Sequence, residues 1–206
     1  MKLRVPLLMM MCFVLATAAY GQAIAGAPDD AFQVRYASNL NVGDSVINIT
    51  NAGTQNTVGG ALTNICANVY TFSPDEQLIS CCSCVVTPNA LVSLSARNDL
   101  ISNTLTPAVP NSIVVKLVAT AGTTCNASNV PAANLAAGMR AWGTTLHAEP
   151  GTSPAYVVTE TAFDKAGLSA AELARITSFC GFIQANGSGY GICRSCRLGG
   201  LGAVKQ

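Results

Sequence analysis

Ile65-Cys-Ala-Asn-Val-Tyr-Thr-Phe72, then Ser73-Pro-Asp-Glu76, then Gln77-Leu-Ile-Ser-Cys81-Cys82-Ser83-Cys84-Val-Val86 is the stretch that decides the fold. Its first arm alternates as a strand does and ends at a turn in which Pro74 pre-sets φ. The second arm returns from that turn, so the stretch predicts an antiparallel hairpin. A turn over Ser73 to Glu76, or one residue shorter, sets Cys66 opposite Ser83 or Cys82, with Cys81 and Cys84 close by. Strand side chains alternate in direction, so Cys82 and Cys84 share one face and Cys81 takes the other. Directly opposed Cβ atoms lie about 4.5–5.5 Å apart, slightly beyond ideal disulfide spacing.

Outward from the hairpin the same reading continues. Ser45 to Thr50 is a strand closed by Asn51-Ala-Gly53. Ser112 to Thr120 is another, with Ile113, Val115, Leu117 and Ala119 on one face and Val114, Lys116 and Val118 on the other. Met139 to His147 and Ala155 to Thr161 are further strands, and Pro88 to Leu105 reads as a helical turn followed by a strand. Ser169 with Glu172 forms a capping box that opens a helix over 169–186, whose Leu173, Ile176, Cys180 and Ile183 recur at helical spacing. Six to eight short strands and one late helix predict a mainly β fold: a disulfide-stapled β-sandwich, Ig-like or similar, with the helix packed on one edge or face.

The chain has 206 residues, which fits one domain. Lys2 and Arg4 precede an apolar run, Val5 to Ala19, and small residues follow at Ala19, Gly21, Ala23 and Ala25. This order reads as a signal peptide over 1–21, with cleavage between 21 and 25. An N-terminal extension over 22–40, a single sandwich domain over 41–197 and a flexible Gly-rich tail over 198–206 complete the division. After signal removal no segment is long and apolar enough to span a bilayer. The expected location is therefore secreted: extracellular, at the cell surface or in a periplasm. Only 10% of residues are charged, against about 25% in a typical domain. Losing Lys2 and Arg4 leaves nine basic and ten acidic side chains. Such a balance supplies no basic field for nucleic acid.

Removing Cys12 with the signal leaves eight cysteines: Cys66, Cys81, Cys82, Cys84, Cys125, Cys180, Cys193 and Cys196. An even count in an exported chain predicts four disulfides, with 105 connectivities open. Cys81 needs a partner from Cys125 or the C-terminal group. A bridge between Cys180 and Cys193 or Cys196 is expected, with the remaining tail cysteine reaching the sheet. Cys193-Arg-Ser-Cys196 has zinc-ligand spacing, but it follows a signal peptide and has no second well-formed C-x2-C, so no metal is assigned. Arg197 after Cys196 rules out covalent haem attachment, and the Gly-rich context does not suit a thioredoxin-like pair. No cofactor is expected.

No catalytic group is assigned either. His147 is the only histidine, and it reads as a strand-end surface residue near Glu149. Gly187-Ser-Gly189 lacks the spacing of a nucleophile elbow. Trp142, with Tyr156 nearby in the sequence, is the candidate ligand-stacking pair, set against a role in the core.

The segments Ile65 to Pro74 and Cys81-Cys-Ser-Cys-Val-Val-Thr-Pro-Asn89, with Cys180 and Cys193-Arg-Ser-Cys196, resemble a group of uncharacterised secreted, cysteine-rich bacterial proteins. The likeness covers most of the mature chain. It implies export and a disulfide-bonded β-rich domain, and it carries over no catalytic residue or ligand. The function expected is a secreted structural or interaction protein of the cell exterior, a filament, matrix or surface subunit linked by strand addition. Its partners are then further copies of itself or other cell-surface components, with residues 25–38 and the tail as connectors. A monomeric carbohydrate- or peptide-binding module is the alternative.

Overall fold

The computed structural model describes residues 21–54, 62–148 and 156–197. The expected signal peptide up to residue 20, Glu149 and the expected tail over 198–206 lie outside the described residues. Within them run β1 (Phe32–Ala37), β2 (Val46–Asn51), β3 (Ile65–Phe72), β4 (Leu78–Val86), β5 (Leu91–Ser95), β6 (Ile113–Ala121), β7 (Met139–Ala148), β8 (Tyr156–Ala162) and β9 (Asp164–Lys165). Helix α1 (Ala170–Ala185) and the one-turn α2 (Arg194–Arg197) follow. The strands form two antiparallel sheets, ordered β4-β3-β6-β1-β9 and β5-β2-β7-β8. The fold is the mainly β, disulfide-stapled two-sheet architecture with one late helix that the alternating patterns predict.

The two sheets meet through one face each. Ile47, Ile49, Leu94 and Met139 from the four-stranded sheet pack against residues such as Ile65, Val69, Ile113 and Leu117 from the five-stranded one. The opposite face of the five-stranded sheet is covered by α1, whose Leu173, Ile176, Cys180 and Ile183 join Phe32, Tyr70 and Val118 in a second core. Strand β3 therefore lies between two apolar layers, and all eight of its residues are buried. Of the polar side chains caught there, Tyr70 and Asn68 are paired, whereas the buried Thr71 hydroxyl has no hydrogen-bond partner among the described residues. Tyr70 Oη donates to the Ala127 carbonyl at 2.7 Å, and burial pushes its phenol pKa up. Asn68 Nδ2 donates to the Val118 carbonyl at 3.1 Å, while its Oδ1 accepts from Ser83 Oγ at 2.9 Å.

Ser169 caps α1 as its position predicts, accepting from the Glu172 N–H at 3.1 Å. The reciprocal half of the capping box is not made: Glu172 turns its carboxylate to Lys116 (2.5 Å) and Arg175 (2.9 Å). Burial raises the Glu172 pKa, but hydrogen bonds and charge from Arg175 and Lys116 outweigh it and hold the carboxyl below its usual range. Phe179 and Phe182 project from the other side of the helix and are exposed.

Three local expectations need correction. The hairpin loop is longer than four residues: Phe72 pairs with Leu78, and the Ser73 N–H donates to the Gln77 carbonyl at 2.9 Å. Ile79 is then an extra residue, since Thr71 pairs with Ser80. Together the loop and the bulge place Cys66 opposite Val85, two positions beyond Ser83 and three beyond Cys82, the two expected partners. Only the displacement from Ser83 is even and leaves the cross-strand faces as expected. Between Pro88 and Leu105 the order is reversed: β5 comes first and a π-helical turn, Ala96–Leu100, follows it. Ser95 sets that turn by accepting from the Asn98 N–H, and Asp99 returns a carboxylate to the Ser95 N–H at 2.8 Å.

The third correction concerns the N-terminal extension, because β1 lies inside 22–40. It pairs with β6 on one side and β9 on the other. Its inward polar residues kept it from reading as a core strand. Gln33 and Arg35 face the other sheet, and Gln33 Nε2 donates to the Met139 carbonyl at 2.9 Å. Residues 32–37 are thus a strand of the chain's own sheet, not a free connector.

Candidate functional site

All eight cysteines among the described residues are paired: Cys66–Cys125, Cys81–Cys180, Cys82–Cys193 and Cys84–Cys196. Their Cα–Cα distances of 5.3, 5.8, 4.9 and 5.7 Å lie in the ordinary disulfide range. Alternation along β4 explains the connectivity. Cys81 points to the helix layer and meets Cys180, whereas Cys82 and Cys84 point between the sheets and take the tail cysteines. The expected bridge between Cys180 and the tail is therefore absent. Helix and tail approach opposite faces of one strand, and both tail cysteines reach the sheet.

Between α1 and α2 the chain runs along the outer edge of β4 and closes it. The Tyr190 N–H donates to the Cys81 carbonyl, the Ser83 N–H to the Gly191 carbonyl, and the Cys193 N–H to the Ser83 carbonyl, at 3.0–3.1 Å. Gly189 lies at φ 69°, and a Cβ there would meet the Cys81 carbonyl oxygen at 2.7 Å, so only glycine fits. Ser188, the centre of the Gly-Ser-Gly stretch, has its hydroxyl buried against the Ile79 and Asn103 carbonyls. Fully buried Asp99 accepts from the Ser195 N–H and Oγ, both at 2.7 Å, and ties α2 to the π-turn. The sulfurs of Cys84, Cys193 and Cys196 lie within 4.8 Å of one another, each already bonded within a bridge. Four disulfides place the folded chain in an oxidising compartment. Among the described residues no helix is long and apolar enough to cross a membrane.

The other edges differ. Strand β9 has two residues, and β5 has five before it runs into the π-turn. Strand β8 is longer. Among the described residues it pairs only with β7, on one side, and all seven of its residues are exposed, Val157 at 49% and Val158 at 52%. It contains neither proline nor lysine, and its ladder to β7 is regular from Tyr156 to Ala162. Arg35 anchors it from the interior: the guanidinium donates to Thr161 Oγ1 (3.0 Å), Thr145 Oγ1 (2.6 Å) and the Thr144 carbonyl (3.1 Å). Burial pulls the Arg35 pKa down, and the Glu160 charge partly offsets this. Gly143 makes the room, since a Cβ there would stand 2.6 Å from Arg35 Nη1.

Trp142 is half-buried on the outer face of the four-stranded sheet, level with Asn48 on β2 and Ala162 on β8. Its neighbours Met139 and Ala141 point into the core, and Trp142 points away from it. Beside it Ser93 Oγ donates to Asn48 Oδ1 (2.6 Å), and Asn48 Nδ2 donates to Glu160 Oε1 (3.3 Å), a polar chain that crosses β7. Tyr156 shares this face but pairs with Ala148, six residues along β7 from Trp142, about 20 Å away at strand rise. The two rings do not form one stacking pair. His147 is exposed, and its Nε2 meets Thr159 Oγ1 at 2.8 Å across the β7–β8 ladder.

Sequence reading placed β8 as a strand but not as an edge, because exposed Val-Val-Thr-Glu-Thr carries the same alternation signal as a paired strand. It also passed over Arg35, Asp99 and Gly143, whose roles depend on contacts across 96 to 110 residues.

No family model matches the chain, and no curated protein matches it. Among solved structures, the crystal structure of Thermotoga maritima 1070 is similar over 71% of this chain and 100% of its own, at a TM-score of 0.38 and 10% identity. Neither fold nor function is inferred from that likeness.

Proposed function

We propose that the chain is an exported structural or interaction protein of the cell exterior that associates with further copies of itself by strand addition at β8. The observation that carries this reading is the edge left bare among the described residues: seven exposed residues on a strand paired on one side, with an exposed valine on each face. Edge strands of soluble proteins are ordinarily blunted by lysine, proline, bulges or a covering segment. Strand β4 has its covering segment, and β8 has none of these devices within the described residues.

An antiparallel pair of β8 strands centred on Thr159 sets Val158 opposite Glu160 and Val157 opposite Thr161, so the one charged residue of the strand never faces its like. Export rests on the signal-like leader and the four bridges. Changing Val157 and Val158 together to lysine puts charge on both faces of the edge and touches no core residue. Sedimentation velocity of the oxidised chain is expected to show concentration-dependent association for the parent and a monomer for the variant. Parent and variant sedimenting alike would remove β8 as the connector.

Trp142 supports a second reading, a carbohydrate-binding face. A half-exposed indole beside a fixed Asn48–Ser93–Glu160 chain suits a neutral sugar, which stacks its apolar C–H face and hydrogen-bonds its hydroxyls. Trp142 is the only tryptophan, so indole fluorescence reports this site alone. A shift with a neutral oligosaccharide is expected on this reading, and constant emission across a glycan panel refutes it.

A further inference from the structure

We infer that the two tail bridges form one thiol–disulfide exchange centre, in which a single external dithiol releases both covalent ties between the C-terminal segment and β4. Two bridges set side by side do not by themselves do this. The sulfurs must lie within reach of one another, one bridge must be open to attack, and the exchanged product must be closable without refolding. The first condition is met because the sulfurs of Cys84, Cys193 and Cys196 are mutually within 4.8 Å. The second is met at Cys196, which is partly exposed while Cys82, Cys84 and Cys193 are fully buried. The third is met because Cys193 and Cys196 flank a single helical turn, with the Cys196 N–H on the Cys193 carbonyl at 3.0 Å. Residues three apart across such a turn have Cα atoms within the range a disulfide spans.

The exchange balances as follows. A thiolate of the dithiol attacks Cys196 Sγ, and Cys84 leaves and takes a proton. The second thiol of the reagent closes the reagent's own disulfide and expels Cys196 as a thiolate. Cys196 then attacks Cys193 Sγ, a Cys193–Cys196 disulfide forms, and Cys82 leaves and takes a proton. One dithiol is oxidised, two electrons enter the protein, and Cys82 and Cys84 end as thiols. The Asp99 carboxylate, accepting from the Ser195 N–H and hydroxyl, holds the turn between Cys193 and Cys196 in shape. The other two bridges offer no such relay. Cys81–Cys180 is buried at both ends, and Cys66–Cys125 lies on another part of the sheet, between β3 and the segment after β6. After exchange the C-terminal segment is held over the β4 edge by hydrogen bonds and packing alone, to β4, Asn103 and Asp99.

The test is independent of self-association. The oxidised chain is treated with one molar equivalent of dithiothreitol, quenched with acid, alkylated with N-ethylmaleimide and mapped by mass spectrometry. Alkylated Cys82 and Cys84 with a Cys193–Cys196 peptide is the expected result. Alkylated Cys84 and Cys196 with Cys82–Cys193 retained overturns the inference. The reaction is repeated on the Cys66→Ala/Cys125→Ala chain, which removes the other half-exposed bridge; opening of Cys81–Cys180 first in that chain also overturns it. In the Cys84→Ala/Cys196→Ala chain, alkylation of Cys82 by one equivalent is expected to be lost. Its persistence shows that Cys82–Cys193 is attacked directly, without relay.

Discussion

The four disulfides should differ in what they contribute, and the connectivity says by how much. Cys66–Cys125 closes a loop of 59 residues that no other bridge shortens. Cys84–Cys196 has a sequence separation of 112, but Cys82–Cys193, with a separation of 111, already closes nearly the same stretch. Once the latter is formed, Cys84 and Cys196 are joined by only the few residues that separate them from their neighbours. In the chain-entropy account, removing the first bridge costs about 4 kcal/mol, whereas removing the second, with an effective loop of about five residues, costs about 2 kcal/mol. The two pairs are matched in burial, each with one buried and one half-buried cysteine. Alanine substitution therefore removes comparable packing from both, and the difference isolates the loop effect. Urea unfolding of Cys66→Ala/Cys125→Ala and Cys84→Ala/Cys196→Ala under non-reducing conditions, with midpoints compared at fixed m, measures it. A loss on deleting Cys84–Cys196 equal to or greater than that on deleting Cys66–Cys125 refutes the reasoning.

Tyr70 is protonated in the fold and its pKa is raised by burial, so the stability it lends is complete below about pH 10 and declines as pH rises above it, where the unfolded phenol ionises. Tyr70→Phe should cost about 1–2 kcal/mol at neutral pH through the orphaned Ala127 carbonyl and flatten the alkaline decline, read from urea midpoints between about pH 8 and 11. Glu172 has the opposite sign. Its pKa is depressed, so its contribution is present above the unfolded value near 4.3 and is lost as pH falls through the lower folded value; thermal unfolding of Glu172→Gln should show a shallower acid limb. Gly143→Ala drives a methyl against Arg35 Nη1 and to 3.0 Å from the Val46 carbonyl oxygen, and is expected to lower stability by about 1–3 kcal/mol in the same urea assay, with β8 amides exchanging faster than those of β3.

The strands that build the core were legible because their periodicity survives in the chain. Ile113, Val115, Leu117 and Ala119 line the inter-sheet face as their alternation predicts, and Ser169 starts the helix where its capping residue stands. What was not legible depended on which faces and edges meet. The reading of residues 32–37 failed because Gln33 and Arg35 break the apolar alternation, and apart from one Gln33 bond to the Asp30 carbonyl their donors are satisfied by β7 and β8, far along the chain. The hairpin register missed by two residues from Ser83, or three from Cys82, because the loop is longer than read and Ile79, an apolar residue like its neighbours, gives no sign that it is bulged. Disulfide partners followed from two facts the spacing does not contain: the helix lies on the Cys81 face, and the tail crosses the β4 edge to the other. Trp142 and Tyr156 were grouped by proximity in sequence, while their places on adjacent antiparallel strands separate them.

Pairing of β8 between copies is tested most directly by hydrogen–deuterium exchange at increasing protein concentration. Backbone amides of residues 156–162 should become more protected as concentration rises, while β1 and β3, already paired on both sides, stay unchanged. Protection of β8 that is independent of concentration, up to the highest value reached, would contradict strand addition at this edge.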